Sequence, residues 1–177
     1  MVKTITVFGS SKPVEGEKQY RLAYELGKLL GQKGFNVCTG GYFGIMEAVS
    51  KGAVESGSEA FGITVSKWGR AANKYVTKEI RCSSVFKRLE TLIENGDAFI
   101  ILQGGTGTLL ELAAVWEFSN RSMMDHKPVA CHSGLWKDVV TAVNKQMEYE
   151  GRETNLIKTF DTIDEIVNYV VNALNEL

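Results

Sequence analysis

Histidine is nearly absent from this chain. Its 177 residues include two, His126 and His132, and neither has a companion at metal-ligand spacing, so no metal site is expected. Cysteine is scarce as well: Cys38, Cys82 and Cys131 are an odd number without a C-x-x-C spacing, which argues against a disulfide framework and for a reducing compartment. Neither sign of charge is in excess. Twenty Lys plus Arg against twenty-one Asp plus Glu leave a formal charge of -1, so no basic field advertises nucleic acid as a partner. No apolar run approaches the ~20 residues a bilayer-spanning helix needs. Met1-Val2-Lys3-Thr4-Ile5 reads as the start of a strand rather than a signal peptide, so a cytoplasmic protein without a membrane partner is expected. Three catalytic signatures are also missing: the G-x-S-x-G elbow, the G-x-x-x-x-G-K-[ST] loop and H-E-x-x-H. Serine hydrolysis, P-loop NTP hydrolysis and zincin chemistry therefore have no support.

What the chain has is glycine, gathered in turns that follow apolar strands. Ala98 to Leu102 is a continuous apolar run of the kind buried on both faces of a parallel sheet. Leu109, Leu112, Ala113 and Trp116 then recur at helical spacing, so strand passes to helix through Gly104-Gly105-Thr106-Gly107-Thr108. Glycine allows close backbone approach, and the first N–H groups of a helix have no partner, so such a turn is an anion site strengthened by the helix dipole. Thr108-x-x-Glu111 also fits a capping box. A cap does not explain three glycines in one turn, and a phosphate-binding role is the stronger reading.

The same pattern occurs twice upstream. Thr4 to Phe8 is a first strand delivering Gly9-Ser10-Ser11. This is not the dinucleotide fingerprint, which would need glycine at Ser11 and Val14. A helix over Lys18–Lys33 carries Leu22, Leu26, Leu29 and Leu30 on one face and stops at Gly34. Phe35 to Cys38 is a second strand, and Thr39 to Gly44 a glycine-rich link into a helix bearing Ile45, Met46, Ala48, Val49 and Ala53. Glu59 to Val65 is a third strand, giving βαβαβ and hence an open parallel sheet in an α/β fold. Residues 66–75, with Lys67, Trp68, Arg70 and Lys74, read as a solvated surface loop. Further on come an extended segment at 76–82 and a helix over 85–95 with Val85, Leu89, Leu92 and Ile93 inward. Beyond the central element, a strand at 127–131, a helix at 135–147 and an edge strand within 155–160 precede a closing helix opened by the box Thr162-x-x-Glu165. The length suits one domain over residues 1–177. Three glycine-bearing turns at one sheet edge suit a mononucleotide.

These residues carry a resemblance. Gln103 to Glu111 resembles the PGGxGTxxE motif of the LOG (Lonely Guy) family, cytokinin riboside 5′-monophosphate phosphoribohydrolases, also labelled possible lysine decarboxylases. Phe8-Gly9-Ser10-Ser11 resembles that family's first phosphate-side loop, and Gly40 to Met46 its GGGxxGLM segment. Arg88 stands at the arginine of its MxxRK motif. The chain departs from the family at Gln103 for proline, at Leu89 for lysine and at Leu110 for a glutamate. The resemblance implies a Rossmann-like, doubly wound, three-layer α/β/α fold and a homodimer. It also implies hydrolysis of a nucleoside 5′-monophosphate to free base and ribose 5-phosphate, with no cofactor. Arg88 and Glu111 would be catalytic, and Gly9, Ser10, Gly41, Gly44, Met46, Gly104, Gly105, Thr106, Gly107 and Thr108 would bind substrate and phosphate. Physically, a carboxylate at Glu111 would stabilise the oxocarbenium-like transition state. Gly44 to Val49 is also similar to molybdenum cofactor carrier proteins, which makes a non-catalytic nucleotide or cofactor carrier the alternative. A pyridoxal phosphate decarboxylase has weaker grounds, since nothing singles out a Schiff-base lysine. For the dimer, Trp116, Phe118, Met123 and Met124 offer more apolar surface than one helix face needs.

Overall fold

Short strands alternate with helices along most of the chain, and in the computed structural model, which describes residues 2–176, they build an α/β/α sandwich. The strands are β1 (Thr4–Phe8), β2 (Asn36–Thr39), β3 (Ala60–Val65), β4 (Lys78–Cys82), β5 (Ala98–Ile101), β6 (Val129–His132) and β7 (Ile157–Phe160). The helices are α1 (Lys18–Gln32), α2 (Ile45–Glu55), α3 (Val85–Glu94), α4 (Thr106–Asn120), α5 (Ser133–Tyr149) and α6 (Ile163–Glu176). All strand pairs are parallel, in the order β4-β3-β2-β1-β5-β6-β7.

A strand's side chains alternate between faces, so the central strands feed two cores. Ile5, Val7, Val37, Ile100 and Leu102 meet α1, α2 and α6 on one face. Phe8, Cys38, Phe99, Ile101 and Cys131 meet α3, α4 and α5 on the other. Ile100 and Ile101 are both fully buried, each contributing ~1.5–3 kcal/mol to opposite cores. Helices α1 and α2 press together through glycine: a Cβ at Gly27 would strike the Val49 carbonyl, and one at Gly52 the Tyr24 carbonyl.

The strand order places the site. From β1 the chain winds outward through β2 and β3 to β4, and from β5 it winds the other way through β6 to β7. The loops leaving β1 and β5 therefore part to opposite faces and open a crevice at the carboxyl ends of the strands, the usual ligand position in such sheets. The connection from β3 to β4 is unusual. These neighbours are parallel, with Val65 beside Cys82 and Phe61 beside Lys78, so the chain must return along the whole sheet, and it does so over residues 66–77 with a single 3-10 turn at Ser66–Trp68.

Several details differ from the sequence reading. Helix α4 starts at Thr106 with Gly105 as its N-cap and no side-chain cap. Thr108 is thus a buried helical residue, and the Thr108/Glu111 capping box does not form. Glycine is accepted at an N-cap, so the helix begins before Thr108 can take that place. The box at the start of α6 does form: Glu165 N–H donates to Thr162 Oγ1 at 3.3 Å and Thr162 N–H to Glu165 Oε2 at 3.0 Å. The buried face of α4 is Thr108, Leu112, Val115 and Trp116, while Leu109 is 43% exposed. This helix is apolar nearly all round, so periodicity alone could not choose its inner face. Val85 projects outward at the start of α3. Helix α5 reaches further in both directions than expected, with a break at Gly134 (φ 24°, ψ −126°).

Candidate active site

At the switch between β1 and β5 a cavity of about 550 Å³ is walled by all three glycine-rich turns. Ser10 joins them through its backbone: its N–H donates to the Gln103 carbonyl, and its own carbonyl accepts from Ile45 N–H, both at 2.8 Å. Gly44, at φ +70°, caps α2 where a Cβ would collide with the backbone of Ser10 and Ser11. The two turns therefore touch only because this residue is glycine.

One wall is the N-terminus of α4, where Gly105, Thr106, Gly107 and Thr108 line the cavity. The first N–H groups of a helix have no intrahelical acceptor, and they carry the positive end of its dipole. A Cβ added at Gly105 or Gly107 would meet no atom within 4 Å. Glycine there is not demanded by the protein's own packing, and both residues border the cavity with open space where a Cβ would go.

One turn further along α4 stands Glu111, and across from it Arg88 of α3. Arg88 Nη1 lies 3.4 Å from Glu111 Oε1, with the two side chains 11% and 13% exposed. Arg88 Nε donates to the Ile63 carbonyl of β3 at 2.8 Å, and Nη2 lies 4.0 Å from the Met46 sulfur. The guanidinium also faces the rings of Tyr42 and Trp68, at 5.9 and 5.8 Å. Gly40 makes room for it, since a Cβ there would overlap Nη2. Burial pushes the Glu111 carboxyl up to about 7, against the opposing charge and hydrogen bond of Arg88. A carboxyl group so poised exchanges a proton readily near neutral pH.

The residues expected from the sequence do not all reach the cavity. Gly9, Ser10, Met46, Arg88, Gly105, Thr106, Gly107, Thr108 and Glu111 line it. Gly41, Gly44 and Gly104 stand behind it: Gly41 against Gly62 and Thr64, Gly44 under the first loop, Gly104 against Thr108. The sequence reading missed the contribution of residues 66–75. Residues 66–71 are exposed, as a solvated loop would be, but the segment is also a strap fastened by the buried Asn73, whose Nδ2 donates to the carbonyls of Gly41 (3.2 Å) and Tyr42 (2.7 Å) while its N–H also reaches Gly41 (2.8 Å). The strap brings Trp68 and Arg70 to the cavity wall, and Lys12 of the first loop joins them. A twelve-residue connection between strands that turn out to be parallel neighbours was the available signal. Among the described residues no cluster of His, Cys, Asp or Glu could hold a metal ion, and no helix is long and apolar enough to cross a membrane.

Residues 2–161 match the model of the SLOG cluster4 family. The chain belongs to that family. The LOG likeness read from the motifs therefore holds for this SLOG chain, and relatives with that activity in their names share its sequence. The cytokinin riboside 5′-monophosphate phosphoribohydrolase of Rhodococcoides fascians is 30% identical over 122 residues, covering 67% of this chain and 62% of the relative. The pyrimidine/purine nucleotide 5′-monophosphate nucleosidase of Escherichia coli K12 is 34% identical over 105 residues, 54% of this chain and 23% of the relative. The chain thus spans less than two thirds of these enzymes' length. Among solved structures, the Moco carrier protein of Chlamydomonas reinhardtii superposes over all of both chains with a TM-score of 0.80 at 22% identity, which shows a shared fold.

Proposed function

We propose that this SLOG protein is a nucleoside 5′-monophosphate phosphoribohydrolase. The observation that carries the reading is the placement of a buried carboxyl group, Glu111, one turn beyond a helix N-terminus open to phosphate and beside the Arg88 guanidinium. Free N–H groups of Gly105 to Thr108 would take the 5′-phosphate. The ribose would then lie along α4 with its anomeric carbon near Glu111. Water adds to C1′ as the bond from C1′ to the base nitrogen breaks, the bonding pair leaving with the base, and ribose 5-phosphate remains. Ionised Glu111 stabilises the positive charge that builds on the ribose and accepts a proton from the attacking water; a proton then passes, through Glu111 or solvent, to the nitrogen of the departing base, so that neutral base and ribose 5-phosphate leave and Glu111 is again ionised. Arg88 supports the ionised state of Glu111 and offers donors to the phosphate or ribose. No cofactor has a part in this scheme.

Incubation with a panel of nucleoside 5′-monophosphates, with free base and ribose 5-phosphate as the readout, tests it. Release of base from at least one of them is expected, and binding without release from any would replace the enzyme with the carrier. That second reading draws on one feature of the site: with Glu111 raised to about 7, a half-neutralised carboxyl leaves Arg88 available to hold an anion without cleaving anything. The Moco carrier protein of Chlamydomonas reinhardtii and the molybdenum cofactor binding protein of Rippkaea orientalis have the same fold.

We also propose a homodimer through α4 and α5. Trp116 lies in the core rather than on the surface, but it floors a groove of about 440 Å³ edged by Leu109, Ala113, Val139 and Val143. Exposed Leu110, Leu135 and Met123 extend the apolar surface on the same helices and just beyond α4. A second copy of this face is the matching occupant, because a two-fold contact pairs a surface with itself.

A further inference from the structure

The cavity has a direction. At one end is the α4 N-terminus, Gly105 to Thr108. Glu111 follows one turn along α4, 3.4 Å from Arg88, and the same guanidinium faces the rings of Tyr42 and Trp68 at 5.9 and 5.8 Å. A nucleoside monophosphate bound with its phosphate at the helix end and its anomeric carbon at Glu111 would carry its base past Arg88 toward those rings. Tyr42 is buried there, and its hydroxyl oxygen accepts from Val65 N–H at 2.9 Å. Trp68 lies against Tyr42, with ring centroids 5.5 Å apart, and is 46% exposed. Its indole is the large ring at this end that combines fixed support with open surface. The support is the strap, held by the three hydrogen bonds of Asn73 to the Gly41-Tyr42 turn.

We propose that Trp68 is the base-stacking residue of this site, a proposal that rests on the nucleotide reading above. An aromatic face binds any nucleobase through dispersion and π overlap and reads little of its edge. The rest of the wall agrees with that. The cavity-lining side chains include no amide, and their one carboxyl group is Glu111, already committed to Arg88, so the paired donor and acceptor of an amide is missing, and the polar chains that share the wall with Trp68 include the donors Arg70 and Lys12. The site therefore grips the base as a flat ring, and purines, with the larger face, more tightly than pyrimidines.

The test uses the full chain carrying Glu111→Gln, so that substrate is not consumed, with AMP and ribose 5-phosphate as probes in calorimetry. Adding Trp68→Leu should weaken AMP by roughly tenfold or more and leave ribose 5-phosphate within about twofold, while Trp68→Phe should keep most of the AMP affinity. Retained ribose 5-phosphate binding also shows that the variant is folded. The other two tryptophans, Trp116 and Trp136, are buried, so AMP but not ribose 5-phosphate should change the emission of the half-exposed indole. Equal weakening of both probes would mean that Trp68 merely holds Arg88 in place, and it would overturn the proposal. So would unchanged AMP affinity, or a loss seen with Phe43→Leu in its stead, since Phe43 also lines the cavity half-exposed. If neither probe binds the chain with Trp68 intact, the nucleotide reading itself fails and the stacking role goes with it.

Discussion

Glu111 pays for its position with an unfavourable ionisation, and that gives two measurable consequences. Its carboxyl is raised from 4.5 to about 7 by burial. A reaction that needs it ionised should gain rate as pH rises, so kcat/KM should follow a single acidic limb with a midpoint near 7, and Glu111→Gln should remove both the limb and most of the rate. The rate loss expected is on the order of a hundredfold or more with KM little changed, since ground-state contacts survive and the charge that meets the ribosyl cation does not. Stability moves the opposite way with pH. A group whose folded pKa lies above its unfolded value binds more protons in the native state, so its stabilising contribution is full below about 4.5 and lost as pH rises through about 7. The loss is on the order of 3 kcal/mol. Chemical denaturation of wild type and Glu111→Gln at pH 4.5 and pH 8 should show the glutamine variant gaining relative stability at the higher pH. Parallel curves would mean that Arg88 offsets the burial completely.

Among the elements, α4 and the strap carry separate tasks. Gly107 sits in the first turn of α4 with open space where a Cβ would go. Alanine is the better helix former by roughly 1 kcal/mol, so Gly107→Ala should hold or raise the melting temperature. It should nonetheless weaken nucleoside monophosphate binding strongly, because the new methyl stands where a phosphate would approach. Equal affinity by calorimetry would remove the phosphate from this turn. In the strap, Asn73→Ala deletes the two Nδ2 bonds to Gly41 and Tyr42 and the one that Oδ1 accepts from Tyr75 N–H at 3.0 Å. The Gly41 carbonyl keeps the Asn73 backbone N–H, but the Tyr42 carbonyl loses its Nδ2 donor, and a buried carbonyl left without one costs ~1–3 kcal/mol. The variant should lose a few kcal/mol of stability in urea titration and should raise KM through a loosened Trp68 and Arg70.

At the scale of the whole molecule, the two-way winding of the sheet makes the crevice, and the apolar face of α4 and α5 is the surface proposed for the dimer. Groove residues Leu109 and Val143 are both well exposed. Light scattering at micromolar concentration should report twice the 19.5 kDa chain mass, and Val143→Glu should return a monomer by placing a charge in the apolar contact. A wild-type monomer under those conditions would dispose of the assembly without touching the chemistry.

Much of this was legible residue by residue. Buried parallel strands need continuous apolar runs and glycine turns need glycine, so Ala98 to Leu102, the three glycine clusters and the Thr162/Glu165 box could be read locally. Arg88 and Glu111 were found through motif likeness, but their meeting was not written in their spacing: it needed β3 to offer the Ile63 carbonyl and Gly40 to yield space for the guanidinium. The register of α4 was out of local reach too, because a helix apolar on every side has no preferred inner face until a sheet is set against it, and Thr108 rather than Leu109 turned inward. The strap shows the limit most clearly. Residues 66–75 have no periodicity to read, and they belong to the site only because β3 and β4 pair in parallel and the chain between them must cross over the crevice, where the Gly41-Tyr42 carbonyls catch Asn73. Local sequence determines strands, turns and caps through short-range sterics and hydrogen bonding. Which side chains share the cavity was decided by strand order, a property of contacts between residues far apart in the chain.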